Sequence, residues 1–279
     1  MKITRAMELI AASRIMKAQQ RVEQSRPYAV RLTAAMEDVA RQTGSLVHPL
    51  LEEREDPARA GVFVVTSDRG LAGAYNSNVL WRAEGLIRQI RGRGLETVLY
   101  VAGKKGTSYF RFRQVPMERV WTGISEVPPY DAAEEIAGAI IAAFGDRTID
   151  EFHAVYTDFR SAFTMRATDK RFLPMAPEEV APDTSGVPAP EYLFEPEPAE
   201  ILDELLPQYV TTKIFAAMLE SAASENAARR RAMKAATENA EDLIKVLTRV
   251  ANQERQSEIT TEIMEIVGGA EALRKAAGE

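Results

Sequence analysis

From residue 199 to Gly268 the chain contains no glycine and a single proline, Pro207. Glycine and proline are the residues that most readily interrupt a helix. Beyond Pro207 the chain can therefore run as one helix for roughly 70 residues, about 100 Å at 1.5 Å per residue. That is several times the length of an ordinary globular helix. Such a helix must pair, span or project. Its apolar residues favour pairing: Ala236, Ala240, Leu243, Leu247 and Val250 step by four and three, and Ile259, Ile263, Ile266, Ala270 and Leu273 repeat the pattern. This is the seam of a coiled coil. Between Val250 and Ile259 the phase breaks over a polar stretch that includes Asn252, Arg255 and Gln256. A phase break changes the local supercoil, and the polar stretch is either a solvated face or a contact surface.

The start of the chain has the same texture. There is no glycine before Gly44 and only one proline, Pro27, which is expected to bend or loosen a helix. Ala11, Ile15, Ala18, Val22, Ser25, Ala29, Leu32, Met36 and Val39 form a second four-and-three seam. Many of these residues are small, so a partner helix can approach closely. The two terminal helices are the natural antiparallel pair.

Between them, short apolar runs alternate with helical stretches. Strands are expected at 61–68, 96–103, 115–121 and 151–159, with a possible edge strand at 171–177. Helices are expected at 73–91, 104–112 and 131–144. Strand–helix alternation implies a mostly parallel sheet with helices on its faces. Residues 177–198 are rich in Pro, Glu and Asp and read as an extended connection. The expected fold class is α/β: an antiparallel coiled coil of long N- and C-terminal helices with an inserted Rossmann-like domain. The corresponding divisions are 1–58, 59–198 and 199–279.

Composition removes several classes of function. The formal net charge of −6 does not favour nucleic acid. The absence of cysteine excludes disulfides and thiolate metal sites. No apolar run approaches the ~18 residues of a membrane span, and the first residues lack the apolar core and cleavage site of a signal peptide. His48 and His153 are the only histidines and have no neighbouring metal-ligand or triad pattern. The turn at 68–73 and GKKGTS at 103–108 have the flavour of phosphate loops, but neither is G-x-G-x-x-G or a Walker A loop. A tight structural turn is the expected role. The acidic run 195–204, with Glu197, Glu200 and Asp203, reads as a solvated helix start rather than an acid–base pair.

Particular motifs are more specific than composition. KITRAMELIAASR at 2–14, SRPYA at 25–29, SDRGLAGAYN at 67–76, and LESAASENAARRRAMKAAT with EIMEIVGGAEAL near the end resemble the ATP synthase gamma-subunit family over nearly the whole chain. Relative to that family the sequence begins at KITRAM, without the turns rich in Arg and Ser that members usually carry before it. Its SDRGLAGAYN also lacks the family's frequent Cys, and it has extra arginines at 228–233 and Ala251 at an aromatic position.

The resemblance implies a non-catalytic rotor shaft inside a hexamer of alpha and beta subunits. A foot would bind the epsilon subunit and the membrane ring of c subunits. No cofactor or metal is implied, and the location would be the cytoplasmic face of the plasma membrane. It further implies that Met7, Arg255, Gln256 and Thr260 meet the catch loops of alpha and beta, and that Tyr192, Phe194 and Glu195 belong to the epsilon and c-ring foot. On the residues alone, Met7 is a packed seam residue, Arg255 and Gln256 are solvated positions, and Tyr192 and Phe194 anchor a loop. Two other readings stay open on the residues alone: a nucleotide-dependent α/β enzyme with helical arms, and a coiled-coil scaffold with an α/β cargo domain.

Overall fold

A computed structural model describes residues 2–43, 48–161, 164–175, 197–276 and 278. The elements are α1 (Lys2–Thr43), β1 (Arg59–Val65), α2 (Tyr75–Gly92), β2 (Glu96–Ala102), α3 (Lys104–Phe112), β3 (Arg119–Trp121), α4 (Tyr130–Gly145), β4 (Glu151–Phe159), β5 (Met165–Leu173) and α5 (Pro198–Ala276). They form two compact units. The larger is Glu8–Ala232, and the smaller joins Met1–Met7 to Met233–Glu279.

In the larger unit a five-stranded sheet has the order β3-β2-β1-β4-β5. The first four strands are parallel, and β5 runs antiparallel to β4. Side-chain alternation divides the sheet between two cores. Phe63 and Val65 of β1 and Tyr100 of β2 enter one core with α4, Leu32 and Met36 of α1, and Leu206, Val210 and Ile214 of α5. Val62 and Val64 of β1 and Leu99 and Val101 of β2 enter the other with Val79, Leu86 and Ile90 of α2 and Phe110 of α3. Strands buried on both faces read as continuous apolar runs, which is why β1, β2 and β4 stand out in the sequence.

Two strands differ from expectation. β3 pairs over only three residues, Arg119–Trp121. The preceding Val115 amide turns back to Phe110 O (3.0 Å) at the end of α3, and Pro116 has no amide to give a ladder. β5 begins at Met165 rather than at 171. It is the edge strand, so only one side is covered, and Met-Arg-Ala-Thr-Asp-Lys shows no apolar run.

The seam read from α1 is covered. Ala11, Ile15, Ala18, Leu32, Met36 and Val39 are buried, and Val22, Ser25 and Ala29 are half-buried. α1 stays helical through Pro27. α5 begins at Pro198, within the acidic run read as a helix start, and continues through Pro207. Pro207 leaves the Asp203 carbonyl without its usual donor, but burial of Leu202, Leu206 and Val210 on both sides carries the helix through. Tyr28 donates to Gln208 Oε1 at 2.8 Å, and His48, beyond α1, lies 3.2 Å from Asp203. Rising numbers on one side meet falling numbers on the other, as an antiparallel pair requires.

One half-buried carboxyl sets a pH dependence. Glu220 of α5 is pushed up to about 7 by burial and then by the neighbouring Asp158, against the pull of Lys170. A carboxyl with a raised folded pKa favours the fold in its protonated form. Its penalty is therefore absent below the ordinary value, grows as pH rises, and is complete above about 7. Glu220→Gln is expected to stabilise the chain by about 2 kcal/mol at pH 8 and to be neutral at pH 4.5. Urea denaturation at the two pH values measures this.

Candidate functional site

Strand order reverses between β1 and β4, and in open α/β sheets ligands bind beyond the carboxyl ends of the strands at such a point. Here the chain fills that position itself. α3 starts at the end of β2, and its first amides are all taken. Lys104 N–H donates to Asp68 Oδ1 (3.2 Å), Lys105 N–H to Ser67 O (3.0 Å) and Gly106 N–H to Thr66 Oγ1 (2.9 Å). Asp68 Oδ2 also accepts the Ser125 amide at 3.0 Å. Burial works to raise the Asp68 pKa, but backbone amides of Gly123, Ser125 and Lys104 outweigh it and hold the carboxylate below its usual range. A carboxylate thus occupies the helix terminus that would otherwise attract a phosphate.

α5 closes the rest of the crevice. Ser221 through Arg229 are buried on every side of the helix. The run is small, so the helix backbone comes close to the strand ends: Ser221 Oγ accepts the Thr157 amide (3.3 Å), and Ser224 Oγ donates to Thr157 O (3.4 Å). Its two charges are paired. Arg229 Nη2 lies 2.6 Å from Glu225 Oε1 and donates to Gly70 O at 3.3 Å in the β1–α2 turn. Burial pushes the Glu225 pKa up, against the attraction of Arg229. The Glu225–Arg229 spacing of four is visible in the sequence, but that both groups are buried is not. Asp68 was legible only as part of a turn.

The histidines are structural. His48 Nδ1 accepts the Leu50 amide at 3.0 Å. His153 Nε2 lies 3.1 Å from Glu151, whose carboxylate Arg93 grips at 3.0 and 2.5 Å. The His153 hydrogen bond, and then Arg93, hold Glu151 down at about 2. Among the described residues no cluster of three His, Asp or Glu could hold a metal.

The smaller unit is of another kind. Thr237 Oγ1 lies 2.7 Å from Thr4 Oγ1, and Met7 is half-buried in the seam one turn further along α1. On α5 the side chains of Leu243, Leu247, Val250, Ile259, Ile263, Ile266 and Leu273 are between 45% and 73% exposed. The seam read over these residues is therefore uncovered in this chain. Arg255, Gln256 and Thr260 are exposed on the same stretch, and Thr260 bonds back to Gln256 O (2.8 Å). The structure does not bring Met7 to them. Arg255 is five turns beyond Thr237, about 27 Å along the helix. Tyr192, Phe194 and Glu195 lie outside the described residues.

The sheet's ligand crevice is thus filled by the chain's own helix, and the long helix carries an uncovered apolar stripe. A family profile described as ATP synthase matches residues 1–273. The ATP synthase gamma chain of Acidothermus cellulolyticus is 55% identical over 98% of this chain and 92% of its own length. That of Mycolicibacterium smegmatis is 52% identical with the same coverage. This chain belongs to the ATP synthase gamma-chain family. Solved structures share the fold. A chain of the Tetrahymena thermophila mitochondrial ATP synthase central stalk and c-ring superposes with a TM-score of 0.61 over 84% of this chain and 99% of that one, at 23% identity. One from the Euglena gracilis mitochondrial ATP synthase gives 0.58 over 98% and 97%, at 16% identity.

Proposed function

We propose that this chain is the central rotor shaft of an ATP synthase, turning inside an alpha–beta hexamer and coupling proton flow through a c-subunit ring to ATP synthesis or hydrolysis. The observation that carries this reading is the apolar stripe of α5 left uncovered from Leu243 to Leu273. Exposed apolar surface of that extent marks an interface. Nucleotide chemistry belongs to the hexamer. The shaft is a ligand whose contacts differ with rotational angle and so shift the states of the catalytic subunits.

In this reading residues 1–58 and 199–279 form the shaft. Residues 59–198 form the foot, with Tyr192, Phe194 and Glu195 toward epsilon and the c ring. Met7, Arg255, Gln256 and Thr260 face the hexamer: a guanidinium fork and an amide hold acidic loop carboxylates in a few discrete orientations. Among the described residues no helix is long and apolar enough to cross a membrane, and partners hold the chain at the cytoplasmic face of the plasma membrane.

Arg255→Ala combined with Gln256→Ala is expected to lower ATP turnover of the reconstituted complex by about tenfold or more, the loss of two charge-assisted contacts, while helix content of the free chain is unchanged. Both side chains are exposed, so folding has nothing to lose. Unaltered turnover would remove them from the interface.

A further inference from the structure

One carboxylate collects arginines from three elements. Glu126, on the loop between β3 and α4, has Oε2 2.5 Å from Nη1 of Arg14 on α1 and 3.5 Å from Nη1 of Arg69 in the β1–α2 turn. Its Oε1 lies 3.8 Å from Nη1 of Arg229 on α5. Arg229 in turn holds Glu225 and the carbonyl of Gly70. The adjacent Ser125 ties the same loop to Asp68 through two hydrogen bonds, 2.8 and 3.0 Å.

Beside this cluster the buried side chains of α5 are small. α5 presents Ala222, Ala223, Ala227 and Ala228 with Ser221 and Ser224. Small side chains make shallow ridges, and packing of ridges into grooves is what opposes rotation and one-turn slippage of a helix. Directional ion pairs supply what shallow ridges lack. Arg14 and Arg69 are partly open to solvent, so their pairs with Glu126 add little stability and mainly fix geometry. A shaft that transmits torque needs that fixation.

We propose that Glu126 is a positioning residue for torque transfer, locking α1 and α5 against rotation and axial slip relative to the α/β domain. This rests on the rotor reading above. It predicts a loss of coupling rather than a loss of activity.

The test uses complete ATP synthase in proteoliposomes carrying the unsubstituted chain, Glu126→Gln or Arg14→Gln. ATP hydrolysis, proton uptake reported by a pH-sensitive dye, and the amount of assembled complex are measured together. In Glu126→Gln, hydrolysis per assembled complex is expected to stay within about twofold while protons pumped per ATP fall by about threefold or more, with Arg14→Gln changing in the same direction. A purely structural role would lower both rates together with the amount of complex. That result, or an unchanged pumping ratio in both variants, would overturn the proposal. Failure of the unsubstituted chain to assemble would instead refute the rotor reading, and the proposal with it.

Discussion

Gly103→Ala is expected to cost about 4 kcal/mol or more, enough to leave much of the chain unfolded given typical domain stabilities. Gly103 has φ +95°, a conformation that side chains rarely adopt. An added Cβ would stand 2.2 Å from the carbonyl oxygen of Thr66 and 2.7 Å from its Oγ1. Neither neighbour can move away. The Thr66 amide and hydroxyl both bond to Ala102 O at 2.8 Å, and the same hydroxyl accepts the Gly106 amide. Gly103 itself donates to Trp121 O (2.8 Å), so the clash falls where β1, β2, β3 and α3 meet. Gly92→Ala is the control. It lies at the end of α2 with nothing within 4 Å of the added atom, and it should be neutral or slightly stabilising. Urea unfolding followed by circular dichroism compares the two; a cost below about 1 kcal/mol at position 103 would contradict the packing described.

Arg229→Ala is the second large effect, expected to cost about 3–5 kcal/mol. The guanidinium is 6% exposed and its partner Glu225 is 1% exposed. Truncation leaves Glu225 buried without its cation. Burial already pushes the Glu225 pKa up, against Arg229, so removal of Arg229 raises it further. The penalty for its charged form then grows as pH rises. Adding Glu225→Gln to Arg229→Ala should recover part of the loss at pH 8 and little of it at pH 5. A double variant no more stable than the single one at pH 8 would show that the lost packing of Arg229, rather than the stranded charge, dominates.

The parts of the fold that were legible in the sequence share a cause. Helices α1 and α5 announce themselves by missing glycines and four-and-three spacing. Strands β1, β2 and β4 do so because both their faces are buried. The start of β5 was hidden because an edge strand of Arg, Thr, Asp and Lys has no apolar rhythm. The passage of α5 through Pro207 is a matter of tertiary packing, which overrides a local stop signal. The role of Glu126 could not be read at all, since its arginines come from positions 14, 69 and 229 and only the fold unites them. For the interface, Arg255, Gln256 and Thr260 were named by family resemblance. The structure adds that they stand exposed beside an uncovered apolar stripe, and that Arg255 lies about 27 Å along α5 from Thr237, which meets Thr4 one turn from Met7.

The central claim is that this chain is a shaft for a hexamer, and native mass spectrometry of the chain mixed with matching alpha and beta subunits tests it most directly. The account predicts a single copy bound in each alpha–beta hexamer. Hexamers that form without it, with the chain remaining free, would contradict it.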